Sequence, residues 1–130
     1  MTRRLEIRDE RGQAMTEFAL VLPILALLLL GVIQFGILFN QYITLTDATR
    51  AGARKAAVSR RLPNPKTACT SALRASATDL NQSQLVAECE SSWAPGSDVR
   101  VTATYPYSIS LLGKVVKSGR LTSTTTERVE

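Results

Sequence analysis

Arg11–Phe39 reads RGQAMTEFALVLPILALLLLGVIQFGILF, and the fold turns on how this stretch is understood. From Phe18 to Phe39 it contains no charged residue and is dominated by Leu, Ile, Val, Phe and Ala. At about 1.5 Å per residue the run forms a helix of roughly 33 Å, enough to cross a bilayer core of about 30 Å. A soluble chain of 130 residues would struggle to cover a helix that is apolar on every side. The run is therefore expected to span a membrane. Pro23 lies near its start, where one backbone hydrogen bond is lost, and Gln34 is the strongly polar side chain late in the span. A cleaved secretory signal has an apolar core of only about 7 to 15 residues and a small-residue site close behind it. Here the nearest such triplet, Ala51-Gly52-Ala53, is well past the end of the run, so the segment is expected to stay attached.

Composition narrows the chemistry. Lys and Arg number 16 against 11 Asp and Glu, a formal net charge of +5. These cations are scattered without the interleaved aromatics that a single-stranded nucleic-acid groove uses, so no nucleic acid is expected as a partner. The chain has no histidine, which removes Ser-His-Asp and Cys-His catalysis and most catalytic zinc sites. Its two cysteines cannot make a four-thiolate metal site, and no glycine-rich loop follows a strand as a phosphate cradle would. Asp9, Asp47, Asp79 and Asp98 show no spacing that implies one cleft. The expectation is a protein without enzymatic activity, cofactor, metal or small-molecule substrate.

The flanks bear on orientation. Arg3, Arg4, Arg8 and Arg11 precede the span, and Arg50, Arg54 and Lys55 follow it, a small bias toward a cytoplasmic N-terminus. Cys69 and Cys89 both lie beyond the span, about twenty residues apart. If paired, they place this part in an oxidising compartment outside the cytoplasm and contribute about 3 kcal/mol. The alternative is two unrelated buried thiols.

A short charged leader ending in Gly12, then Gln13-Ala14-Met15-Thr16, then Glu17-Phe18 and the apolar run, resembles the processing signal of type IV pilins and their relatives. In that family a prepilin peptidase cuts directly after the glycine, and the fifth residue of the mature chain is glutamate. Gly12 and Glu17 have that spacing. RGQAMTEFALVLPILALLLLGVIQFG followed by DATRAGARKAA is similar to the TadE-like proteins of tight-adherence (Tad, Flp) pilus systems, over roughly Arg11 to Ala57. Gln13 departs from the phenylalanine that type IV pilins usually carry at the new N-terminus.

The residue types suit such a site. Gly12, without a side chain, lets an extended backbone lie close to protease groups, as a substrate feature and not a catalytic one. Glu17 would meet the membrane edge at a desolvation cost, which invites a partner. Cutting would place the α-amine of Gln13 one helical turn away. The resemblance implies that Glu17 helps recruit or align a subunit by pairing with an N-terminal amine, its own or a neighbour's. The alternative is an interfacial glutamate left in headgroup water.

Past the span the helix is expected to continue as a stem. A four-residue step through Gly36, Asn40, Thr44, Ala48, Gly52 and Ala56 gives a ridge without bulk. Gly36, Ala48, Gly52 and Ala56 would admit another helix closely, either a neighbouring stem or an element of the chain's own head. Alanine content for helix propensity alone would give the same residues. Asp47, Arg50 and Arg54 read as a solvated ion-pair face. Pro63 and Pro65 should end the stem. In the head, Lys66 to about Leu80 has helical spacing, and a second helical piece is expected from Ser83 to about Ser91. Val99, Val101, Ala103 and Tyr105 alternate with Arg100, Thr102 and Thr104 as a half-buried strand. A loop or short edge strand with Pro106 and Gly113 leads to a threonine-rich partner, Arg120–Val129. Trp93 is expected in head-core or hinge packing.

The expected architecture is α+β and pilin-like, with a long N-terminal transmembrane helix running into a stem. A small head follows, with one or two helices and a short antiparallel sheet. Residues 1–12 form a cytoplasmic leader that is cleaved, 13–39 the span, 40–62 the stem and 63–130 the extracytoplasmic head. The resemblance implies a minor pseudopilin of an inner-membrane Tad/Flp-type assembly or secretion system, acting in pilus priming, capping or anchoring. Its partners would be the membrane, a prepilin peptidase, other pilus subunits and the Tad assembly platform. The alternative is an uncleaved single-pass signal anchor whose head binds a protein or cell-wall partner.

Overall fold

The apolar run lies inside one continuous helix, α1 (Arg3–Ala57), in a computed structural model that describes the backbone of residues 3–130 and the side chains of residues 11–130. The side chains of Arg3, Arg4 and Arg8, part of the expected leader, lie outside the described residues, as do residues 1 and 2 entirely. Every side chain from Arg11 to Leu30 is exposed. A core helix of similar composition would be buried by the rest of the chain, whereas the most apolar stretch of this one, with the length and apolarity to cross a membrane, is left unburied by the described residues. The fit is to a single-pass membrane protein.

The character of α1 changes toward its C-terminal end. Leu45, Ala48, Thr49, Gly52, Ala53 and Ala56 are buried, a helical stripe turned toward the head. α1 stops at Ala57, ahead of the prolines expected to end it; there Glu130 donates its backbone N–H to the Ala57 carbonyl at 3.0 Å. Pro65 instead opens the second helix, α2 (Pro65–Ser76), where its missing N–H costs nothing. Leu73 of α2 is fully buried, as is Cys69, which is bonded to Cys89 in a disulfide. The guanidinium of Arg74 donates to the carbonyls of Gln82 and Leu85 at 2.9 and 3.1 Å, closing the loop after α2.

Three antiparallel strands complete the head in the order β1 (Val86–Glu90), β2 (Asp98–Leu111), β3 (Lys114–Arg128). The helix expected over Ser83–Ser91 is not formed; most of that segment is β1. Asn81 explains the change locally. Its side-chain oxygen accepts from the Ser83 N–H at 3.0 Å and from the Ser83 hydroxyl at 2.7 Å, and its carbonyl accepts from Leu85 at 3.1 Å, so the chain turns before it can wind. Leu85, Ala87 and Cys89 then point inward with period two, and Glu88 and Glu90 face out along an edge strand, where charge discourages further pairing.

β2 shows the expected alternation: Val99, Val101, Ala103 and Tyr105 are buried, whereas Arg100 on the other face is exposed. The strand also runs further than expected. β1 covers only Arg100–Thr104, so the outer edge of β2 is open at Pro106, and the proline stays within the strand instead of ending it. Its partner likewise begins at Lys114, not Arg120, and the two strands form one long hairpin. α1 and α2 cover the inner face of the sheet, and the core lies between them, with Leu45, Leu73, Val99, Val101 and Val129 as its large members.

Candidate functional site

Gly12, Gln13, Glu17 and Phe18 sit together on the exposed N-terminal part of α1, remote from the head. Nothing approaches within 4 Å of the position a Gly12 side chain would take. The Gln13 side-chain amide donates to a Glu17 carboxylate oxygen at 3.1 Å, a contact set by the four-residue helical spacing. One residue before, the Thr16 hydroxyl donates to the Gly12 carbonyl at 3.0 Å. The Gly12–Gln13 peptide is therefore helical with its carbonyl occupied, not in the extended form that a protease cleft takes. A peptidase acting here would have to unwind a turn, and glycine, about 1 kcal/mol worse than alanine inside a helix, lowers that cost.

The four small residues of the ridge have different fates. Ala48, Gly52 and Ala56 are buried against the chain's own head, so of the two packing partners considered for them the structure shows the intramolecular one. A Cβ at Gly52 would stand 3.1 Å from Leu73 Cβ, 3.4 Å from the Cys69 carbonyl and 3.4 Å from Val101 Cγ1. Gly36, in contrast, is exposed and has nothing within 4 Å of its Cβ position. The reason is geometric: sixteen residues at about 100° each rotate the ridge by roughly 160°, which carries Gly36 to the far side of the helix.

Next to Gly52 the stem is joined to the sheet by hydroxyls. Thr49, fully buried, donates to the Thr46 carbonyl at 2.8 Å and receives the Thr125 hydroxyl at 3.1 Å. Its only hydrogen is then used, so Ser123, 3.2 Å away, donates to it as well. Sequence reasoning overlooked this cluster; the signal available was a threonine on the buried stripe of α1 and the row of hydroxyl residues in β3. Asp47 and Arg50 form an exposed pair at 3.6 Å, as the reading of that face expects. Trp93 is half-buried against the core.

Lower on α1, Gln34 is half-buried and does not join the exposed apolar surface. With Ile37, Leu38 and Gln41 it lines a groove whose other wall is Gln84 and Tyr105–Ser108. The opposite side of the stem is open: Phe39, Tyr42, Ile43, Thr46, Asp47 and Arg50 border a shallow, mostly apolar depression.

Residues 12–54 match the sequence model of the family described as TadE-like protein. The match begins at Gly12 and ends on the stem, so it takes in the Gly12–Glu17 spacing, the apolar run and the stripe that packs on the head, but not the head itself. No curated protein and no solved structure matches the chain.

Proposed function

We propose that this chain, TadE-like over residues 12–54, is a minor pseudopilin-like component of a Tad/Flp-type pilus assembly or secretion system. Prepilin peptidase removes residues 1–12 on the cytoplasmic side, and the head stands outside the cytoplasm. The mature protein then primes, caps or anchors the pilus; its role is assembly, not catalysis. The observation that carries this reading is the counted position of Glu17, five residues past Gly12, at the entrance of an apolar run whose side chains are all exposed as far as Leu30.

The geometry supports it at two further points. Gln13 and Glu17 already share one helix face, so the amine created at Gln13 would lie within a turn of the carboxylate and offset its cost at the membrane edge. The stem is fastened to the head through Gly52 and the Thr49 hydroxyl cluster, so a pull on the helix moves the head with it. Other pilus subunits and Tad platform proteins would meet the open side of the stem.

The test is to express the full chain with and without an active prepilin peptidase and read the N-terminus by mass spectrometry. A mature end at Gln13 that depends on the peptidase supports processing. The leader retained in both samples would overturn it and leave the uncleaved signal anchor as the reading.

A further inference from the structure

Gln34 is the strongly polar residue of the apolar run, and it lines the groove between α1 and β2, a space of about 180 Å³. An amide at this depth is costly unless something bonds to it. Among the described residues, the side-chain amides of Gln34, Gln41 and Gln84 and the hydroxyls of Tyr107 and Ser108 make no hydrogen bond with the protein, yet all five residues line this one groove. Tyr105 differs, since its hydroxyl accepts from the Asn81 N–H at 3.3 Å. No polar side-chain atom among the described residues is sealed away without a partner, so the five groups open onto the groove. The main chain adds a donor. Pro106 lies where β1 no longer pairs with β2, its ring nitrogen toward the open edge, and Ser108, two residues on, turns its N–H the same way.

All these groups can donate, and no charged residue lines the groove. They fit a cluster of acceptor oxygens, and their height along α1 indicates the source. Gln41 is two residues beyond the run and Gln34 five residues inside it, so the groove straddles the head-side edge of the run. Seven helical residues rise about 10 Å, against a headgroup layer of roughly 5–7 Å on each side of the hydrocarbon. The groove thus covers the layer of phosphates and acyl esters and reaches a short way below it. From there Ile37, Ile33 and Leu30 descend at helical spacing on one side of α1, all exposed. An acyl chain has a continuous apolar track beneath the polar groove.

We propose that this groove binds one phospholipid of the head-side leaflet. Gln34 donates to the acyl ester carbonyls, Gln41, Gln84, Tyr107 and Ser108 donate to phosphate and headgroup oxygens, and one chain lies along Ile37, Ile33 and Leu30. Neutral donors read these oxygens and not the headgroup charge, so phosphatidylethanolamine and phosphatidylglycerol both fit. This rests on α1 spanning the membrane. The bound lipid supplies Gln34 with partners where water is scarce, and it fills the stem–sheet contact below the end of β1.

The test uses the full chain, its Cys69–Cys89 bridge intact, released from phosphatidylethanolamine nanodiscs into mild detergent and weighed by native mass spectrometry. The parent chain should retain one phospholipid. Gln34→Leu with Gln41→Leu should lower the retained fraction about tenfold, the loss of a few hydrogen bonds. Val32→Ala, on the opposite side of α1, should leave it unchanged. Tyr107→Phe, which keeps the ring and removes only the hydroxyl, should weaken retention without lowering the melting temperature, so a fault in folding is told apart from a lost ligand. No lipid on the parent chain, or equal retention by the parent and the glutamine variant, would overturn the proposal. Inorganic phosphate and glycerophosphoethanolamine carry the oxygens without the chains and should not displace the lipid; displacement by either would overturn the lipid assignment. A lipid-free dimer would assign the groove to a second copy and overturn it as well. A fluorophore on Leu28→Cys, quenched by brominated acyl chains in the nanodisc, reports the span separately. Quenching there without a retained lipid would remove the groove site alone, and no quenching would remove the span and the site together.

Discussion

Leu73 Cβ lies 3.1 Å from the position that any Cβ on Gly52 would occupy. This contact sets how closely stem and head approach, since the atom opposing Gly52 is fixed to the α2 backbone and cannot swing away. A leucine at 52 would have to part α1 from α2 and from Val101. We expect Gly52→Leu to lower stability by about 1–3 kcal/mol, the usual range for overpacking. Thermal denaturation of the purified chain in detergent, followed by circular dichroism, would show it. Gly52→Ala should be much milder, because the gain in helix propensity of about 1 kcal/mol offsets the crowding.

Thr49→Val keeps the shape of the side chain and removes the hydroxyl on which Ser123 and Thr125 converge. With both left short of a partner at the stem–sheet contact, the loss should be about 1–3 kcal/mol. Thr49→Ser should recover most of it. Equal stability of the valine variant and the parent chain would show that the cluster does not hold the stem.

The Cys69–Cys89 bridge ties α2 to the edge strand β1. Non-reducing peptide mapping of protein exported from the cytoplasm should recover the two cysteines in one linked peptide. Replacing both by serine should cost about 3 kcal/mol, the closure entropy of a loop of this length. Free thiols in the exported protein would contradict the pairing.

Processing and assembly should separate by residue. Gly12→Leu is expected to block cleavage, because its side chain obstructs the protease and favours the helix that must unwind. Glu17→Gln is expected to leave cleavage intact and to weaken association with other pilus subunits, since it removes the charge facing the new amine. Mass spectrometry of the N-terminus reads the first effect and co-purification of partner subunits the second. Loss of both in one variant would mean that the two residues do not divide the work.

Much of this molecule is legible locally. The apolar run, the Gly12–Glu17 spacing and the alternation Val99–Tyr105 depend on neighbours in the chain or on one period, and each appears where the residues place it. The same local rules fail between Ser83 and Ser91, where alanine and glutamate suit a helix but the turn at Asn81 and pairing with β2 impose a strand. They fail again at Pro106, because only the short reach of β1 shows that the proline sits on an open edge.

By itself, then, the sequence determined that an uncharged helix passes through a membrane-sized length, with a glycine and a glutamate counted out at its entrance, since helix length and spacing depend on the chain alone. Tertiary structure decided which side of that helix belongs to the head. Gly36 and Gly52 lie on one four-residue ridge, yet the drift of the helix turns one to the open side and buries the other against Leu73. Thr49 meets Ser123 across a separation of 74 residues, and Tyr105–Ser108 come beside Gln34 and Gln41 only because β2 runs down α1. Those contacts join distant parts of the chain, and no period within either part encodes them.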